Sequence, residues 1–282
     1  MTSKAIAYQG SVGAHSYLAC TRFYSDFEPV SYSSFSQVFE AVENGEAQYG
    51  IIPLENSYAG RVSEIHNLLQ SSNSSIVAEH FLPIRHNLAA VPGAKIEDIT
   101  RVISHPQALM QCQNNLREMN AQLQEFSNTA MAAQHVSRKG EKNLAAVCSI
   151  EAAQINNLEI LKTDIQDLEN DNTTVFIAIS KDGIDPDPQK ALVLTTMLFT
   201  IRNITGSLYK ALGGFATNNV NMVKLESYIP GGMSQQAKFF ITIEGHPSQR
   251  NVALALEELG FFSRGVKLIG VYYADEIRVK NR

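Results

Sequence analysis

Tyr49-Gly50-Ile51-Ile52-Pro53-Leu54-Glu55-Asn56-Ser57-Tyr58-Ala59-Gly60-Arg61-Val62 changes character within a few residues. Its first half is an apolar run of strand length, as expected for a strand buried on both faces. Its second half gathers a carboxylate, an amide, a hydroxyl and a guanidinium. Strands buried on both faces belong to sheets covered by helices, and in open α/β sheets ligands collect beyond the carboxyl ends of the strands. On residue types alone, the polar half has a plainer alternative as a helix N-cap with a solvated arginine.

The flanks repeat this alternation. Upstream, Lys4–Tyr8 reads as a strand, the segment after Gly13 as a helix to about Tyr24, and Ser36–Asn44 as a second helix. Downstream come strand-like Ile76–Phe81, Asn87–Val91 and Val102–Ser104, the last feeding a helix whose first residue is Pro106, where a missing N–H costs nothing. A strand near Leu123–Phe126, a helix over Thr129–Ser137, the strand Leu144–Val147, a helix from Ser149 and the strand Thr174–Ser180 complete the region. The βα alternation implies parallel sheets with helices on both faces. Lys181–Pro188 is polar and broken by Gly and Pro, as a linker is. Beyond it the order changes to strand (Ala191–Arg202), helix (Ser207–Ala216), strand (Asn221–Tyr228), a turn at Pro230-Gly231-Gly232, strand (Ala237–Glu244), helix (Asn251–Leu259) and strand (Gly265–Tyr273). This β-α-β-β-α-β order is ferredoxin-like.

Composition excludes several functions. A length of 282 residues suits two or three domains, and 44% apolar with 18% charged residues suits packed cores. A net charge of -5 argues against a nucleic-acid partner. The longest apolar stretches, Ala191–Ile201 and Asn251–Gly260, are too short or too polar to span a bilayer, and the first residues lack a signal-peptide core, so no membrane partner and a cytoplasmic location are expected. Cys20, Cys112 and Cys148 are widely spaced and odd in number, the pattern of reduced, packed thiols. The histidines form no ligand pair, so no metal is expected.

Three further places set small and polar residues at element ends: Gln9-Gly10-Ser11-Val12-Gly13-Ala14-His15-Ser16, the helix starts Ser104–Ala108 and Ser127–Ala133, and Asn170–Phe176. Backbone N–H groups of the first could face an anion. A tight turn, a pair of helix caps and a loop-to-strand junction explain the same residues, and residue types do not choose.

In their order, these segments resemble the prephenate dehydratase family. The pattern is similar at Tyr8-Gln9-Gly10-x-x-Gly13-Ala14-x-Ser16, at Gly50-Ile51-x-Pro53-Leu54-Glu55-Asn56-Ser57-x-x-Gly60-x-Val62, and at Ser104-His105-Pro106-Gln107-Ala108-Leu109. It continues through Asn128-Thr129-Ala130-x-Ala132-Ala133, Ala145–Ala153 and Asn172-x-Thr174-x-Phe176. The tail is similar to an ACT domain. The resemblance implies a two-lobed α/β catalytic part built like a type-II periplasmic binding protein over residues 1–182, with one lobe of about 1–80 plus 169–182 and the other about 81–168. A linker over 183–190 and a ferredoxin-like ACT domain over 191–282 would follow.

The resemblance also implies an activity: decarboxylating dehydration of prephenate to phenylpyruvate, without a cofactor, regulated by L-phenylalanine, in a homodimer or homotetramer joined through ACT domains. Thr174 takes the place of the family's catalytic threonine, with Glu55, Asn56 and Ser57 beside it. Gln9, Gly10, Gly13, Ala14, Ser16, Arg61, Ser104, His105, Gln107 and Phe176 would contact substrate. Gly206, Ser207, Leu208, Asn221, Glu226 and Ser227 would hold the effector. Two departures stand out. The family's Thr-Arg-Phe is Thr174-Val175-Phe176 here, and a valine cannot clamp a carboxylate as a guanidinium does; Arg61, then Arg85, are the replacements by position. The family's Glu-Ser-Arg-Pro is Glu226-Ser227-Tyr228-Ile229. Two other functions fit the same residues: an arogenate dehydratase, and a non-catalytic amino-acid-sensing binding protein.

Overall fold

The computed structural model describes residues 4–167, 172–202, 204–229, 236–280 and 282. Asn170 and Asp171 and the Pro230-Gly231-Gly232 turn, singled out above, lie outside the described residues. The elements run β1 (Ala5–Gln9), α1 (His15–Phe23), β2 (Glu28–Tyr32), α2 (Phe35–Glu43), β3 (Tyr49–Asn56), β4 (Gly60–Arg61), α3 (Ser63–Ser71) and β5 (Ser75–Pro83). A second group follows: β6 (Asn87–Ala90), β7 (Arg101–Ser104), α4 (Pro106–Gln111), α5 (Gln113–Arg117), β8 (Gln122–Glu125), α6 (Thr129–Lys139), β9 (Leu144–Cys148), α7 (Ile150–Ile155) and β10 (Glu159–Lys162). After these come β11 (Thr173–Ser180), β12 (Val193–Ile201), α8 (Ser207–Thr217), β13 (Met222–Tyr228), β14 (Lys238–Glu244), α9 (Arg250–Phe262), β15 (Ser263–Tyr273) and α10 (Glu276–Lys280).

Helix starts are written locally. Ser34, Asn128 and Ser149 accept from the backbone N–H three residues on at α2, α6 and α7, and Pro106 opens α4 behind the His105 side-chain cap. The strands form two sheets. One has ten strands in the order β13-β14-β12-β15-β5-β11-β3-β1-β2, with β4 beside β3; the other has five, β10-β6-β9-β7-β8. The sheets are mixed, which corrects the expectation of parallel ones. β1 pairs in parallel with β2 and β3, as β7 does with β8 and β9, but β11 is antiparallel to both β3 and β5, and β6 is antiparallel to β9 and β10. The chain leaves the first sheet after β5, builds the second, and re-enters the first through β11 from the opposite end; local alternation does not encode that direction. The two crossings are tied together, Ile84 N to Asn172 O at 2.8 Å and Ile165 N to His86 O at 2.8 Å.

The C-terminal strands do not hang from a tether. Leu194, Leu198, Tyr228, Phe240, Ile269 and Tyr272 share one core with Val38, Ile65, Leu69, Ile76 and Ile177 of the N-terminal layer. Sheet continuity passes through a single contact: Gly270 of β15 opposes Ile76 of β5, where an added Cβ would lie 2.5 Å from the Ile76 carbonyl oxygen. Only glycine permits that approach. Lys267, also on β15, donates to the Leu69, Gln70 and Ser72 carbonyl oxygens at 3.0, 2.8 and 2.5 Å, capping the negative end of α3. Cys20, Cys112 and Cys148 are buried and unbridged, and burial pushes each thiol up to about 12. No helix among the described residues is long and apolar enough to cross a membrane.

Candidate active site

A cavity of about 530 Å³ opens between the carboxyl ends of β1 and β3, the amino end of β11, and the first turns of α4 and α6. That volume is in the range of small-molecule sites. Of the residues singled out in the sequence, Gln9, Gly10, Ala14, Ser16, Glu55, Asn56, Arg61, His105, Gln107, Thr174 and Phe176 line it. Three others sit in the framework. Ser104 is fully buried and turns its hydroxyl to the Val147 carbonyl oxygen at 2.6 Å, so it belongs to the second sheet. Ser57 exchanges bonds with Thr173: its N–H donates to the Thr173 carbonyl oxygen, and its hydroxyl oxygen accepts from the Thr173 N–H, each at 3.0 Å. Gly13, at φ +86°, brings the first loop against α7, where an added Cβ would be 3.2 Å from the Ala152 Cα.

The centre of the cavity is a chain of neutral amides whose direction can be assigned. Asn56 Oδ1 accepts from the Tyr58 and Ala59 N–H groups at 3.0 and 2.9 Å. Backbone donors cannot reverse, so Asn56 Nδ2 must face the other way. There it donates to Asn172 Oδ1 at 2.8 Å and to Thr174 Oγ1 at 3.0 Å, with the Thr173 carbonyl oxygen at 3.3 Å. Asn172 Nδ2 then donates to Gln111 Oε1 at 2.8 Å, and His86 Nε2 stands 2.7 Å from the same oxygen as a second donor. Thr174, 8% exposed, therefore accepts through its oxygen, and no hydrogen bond among the described residues consumes its hydroxyl proton. A donor polarised in this way is stronger than an isolated hydroxyl.

His15 and His86, which the sequence did not single out, meet edge to face in the same wall, ring centroids 6.3 Å apart. Burial, helped by the neighbouring His86, brings His15 down to about 4. Burial also lowers His86, against a smaller opposing effect of the Gln111 bond. Both rings are neutral at pH 7, and His15 Nε2 and His86 Nδ1 are buried without a protein partner among the described residues. Glu55 and Arg61 are the charged side chains of the lining among the described residues.

Neither of those two is free. The Arg61 guanidinium donates to the Ser227 carbonyl oxygen at 2.6 Å, and Glu55 is ion-paired with Lys224. Lys224 Nζ is also 3.0 Å from Glu226 Oε1, whose partner oxygen lies 2.8 Å from His66 Nε2. Burial opposes ionisation of Glu226, but His66 and Lys224 prevail and hold its carboxyl down to about 2. β13 thus lies along the rim of the cavity. Val175, the departure noted above, is cross-strand from Glu55 on β3 and Phe81 on β5, and it faces away from Thr174. The residues expected to hold an effector fall in different places within one chain. Ser227 meets the cavity rim through Arg61, and Glu226 reaches it only through Lys224, the partner of Glu55. Ser207, at the start of α8, is buried against Phe262, and Asn221 sits at the opposite end of β13, in a second cavity with Glu244 and Arg282.

Comparison with known proteins finds a family that the chain as a whole is similar to. The family model described as prephenate dehydratase matches residues 6–184. The chain is 39% identical to the bifunctional N-acyl-homoserine lactone acylase/prephenate dehydratase of Komagataeibacter europaeus, across 98% of each protein. It is 35% identical to arogenate dehydratase 2 of Petunia hybrida, over 96% of this chain and 72% of that one. Among solved structures, prephenate dehydratase from Arthrobacter aurescens in complex with L-Phe superposes with a TM-score of 0.85 at 28% identity, covering 95% of this chain and 89% of the other.

Proposed function

The chain belongs to the prephenate dehydratase family, and from that membership we propose that it converts prephenate to phenylpyruvate. The observation that carries the proposal is the Asn56–Thr174 bond, which commits the threonine oxygen as acceptor and leaves its proton for a ligand in the cavity. In the reaction, the bond from the ring to its carboxylate breaks and releases carbon dioxide. The electron pair moves through the ring, and the carbon–oxygen bond on the opposite carbon breaks. The departing hydroxyl leaves as water once it has gained a proton. Aromatisation drives the reaction, so the protein has to hold two carboxylates and assist the leaving oxygen. Thr174 supplies a positioned hydrogen bond to that oxygen, as general acid catalysis requires. Backbone N–H groups of the Gln9–Ser16 loop serve the carboxylates as fixed dipoles. His15 and His86, neutral at pH 7, add donors and acceptors without adding charge.

Prephenate is favoured over arogenate by the pairing of Glu55. A substrate ammonium would want a free carboxylate, and the one carboxylate in the described lining is held by Lys224. For regulation, the reading is an ACT domain over 191–282 that binds L-phenylalanine and pairs with a second copy, behind a catalytic part over 1–182 and a linker over 183–190. The β-α-β-β-α-β order and the L-Phe in the Arthrobacter structure support it.

The test is phenylpyruvate formation from prephenate by the purified protein, with and without L-phenylalanine, and with arogenate in parallel. Turnover of prephenate, suppressed by phenylalanine, is the expected result. Turnover of arogenate alone would replace the substrate, and a folded protein inert toward both would favour the amino-acid-sensing alternative. An N-acyl-homoserine lactone in the same series tests whether the second activity named for the Komagataeibacter relative extends to this chain.

A further inference from the structure

A carboxylate stands at the rim of the cavity that is to take a doubly anionic ligand. Glu55 borders it; its neighbour on β11, Val175, offers no charge, and its neighbour on β4, Arg61, turns its guanidinium to the Ser227 carbonyl oxygen. The neutralising cation arrives from the far part of the chain. Lys224 on β13 pairs with Glu55, and its side chain is 12% exposed. Holding a lysine that deeply costs it rotamer freedom and part of its hydration. Generic packing would be met better by an apolar side chain.

We propose that Lys224 is a positioning residue of the substrate cavity, which cancels the charge of Glu55 so that the rim does not repel an anionic ligand. The proposal rests on the reading of this cavity as the prephenate site. Lys224 acts on binding and not on the leaving hydroxyl, because the Thr174–Asn56–Asn172–Gln111 chain contains no group that it touches. The same strand fixes the other charged side chain of the rim, Arg61, through the Ser227 carbonyl oxygen. The C-terminal part thereby sets the electrostatics of a cavity whose walls it does not build.

The test is steady-state kinetics with prephenate on wild type, Lys224→Met, Lys224→Arg and the pair Glu55→Gln/Lys224→Met. Unmasking one negative charge beside a dianion should raise KM on the order of ten- to hundredfold in Lys224→Met. Its kcat should stay within about threefold of wild type, since general-acid assistance is untouched. Lys224→Arg should keep a KM near wild type. In the pair variant, KM should return toward wild type, because the repelling charge is gone as well. The KM rise should also shrink between low and high ionic strength. An unchanged KM in Lys224→Met overturns the proposal, and so does a KM that stays high in the pair variant, which would mark Lys224 as packing. If Lys224→Met does not fold, the pair variant and Lys224→Arg still decide between charge and packing. Wild type in the same assay separates this proposal from the functional reading: no turnover there rejects the function itself, whereas turnover with an unchanged Lys224→Met KM rejects only the role of Lys224.

Discussion

β11 separates two polar networks built on opposite principles. On the face bearing Thr174 and Phe176, neutral groups link in one direction, from the Tyr58 and Ala59 N–H groups through Asn56 and Asn172 to Gln111, whose oxygen also accepts from His86. On the face bearing Val175, the partners are ions: Glu55, Lys224 and Glu226 with His66, and Glu79 gripped by Arg278 at 2.6 and 2.8 Å. The neutral chain is directional, which suits a site where one proton must point one way. Long ionic side chains bridge elements distant in sequence, which suits the joint between the C-terminal strands and the cavity. The two faces should therefore fail differently.

The largest expected effect lies on the neutral face. Thr174→Ala should lower kcat by about 10²–10⁴-fold with little loss of folding, whereas Thr174→Ser should retain much of it. Near-normal turnover in the alanine variant would break the assignment of the leaving-group donor to this face. On the ionic face, Arg278→Ala leaves the buried Glu79 carboxylate unpaired and should cost about 3–5 kcal/mol of stability, read from urea unfolding. A loss below about 1 kcal/mol would show that the joint does not depend on its ions.

Acid should distinguish the faces by window. His15 and His80 have folded values of about 4 against an ordinary 6.5, both lowered first by burial, so the unfolded chain binds protons that the folded one refuses. Their contribution, about 3 kcal/mol each, is fully present above pH 6.5 and is lost as pH falls toward 4. Glu226, held at about 2 against 4.5, gives up its contribution only between those lower values. Unfolding free energy measured from pH 7 to pH 4 should therefore decline, and the decline should be smaller in His80→Phe; an identical slope in that variant would contradict the burial argument. The smallest effect belongs to Asn172→Ala, which leaves Asn56 and Gln111 each short of a partner. Stability should fall by about 1–2 kcal/mol and kcat by roughly tenfold, less than for Thr174→Ala, because Asn56 keeps its backbone anchors.

Much of this was legible along the chain. The strands at Ala5–Gln9, Tyr49–Asn56 and Thr173–Ser180, and the loops at their ends, were readable because apolar runs and caps are local signals. β2 and β10 were missed because edge strands are half exposed and carry little apolar pattern, and α3 because its short stripe is Ile65, His66 and Leu69, with a buried histidine in it. Within the cavity, His15 stood inside a quoted loop without being singled out. Gln111 reads only as the last residue of α4, and nothing around it hints at His86 or Asn172.

The sequence by itself determined which segments become strands and helices, which strand ends carry polar groups, and which family these residues resemble. All of these follow from periodicity, capping and motif over a few residues. The tertiary structure alone decided which groups face one another. It turned Arg61 from expected carboxylate clamp to partner of the Ser227 carbonyl oxygen, and it set Lys224 against Glu55. The physical reason is the pairing of β15 with β5 at Gly270. One close backbone approach extends the first sheet into the C-terminal strands and carries β13 to the rim of the cavity, and no local pattern specifies so distant a meeting.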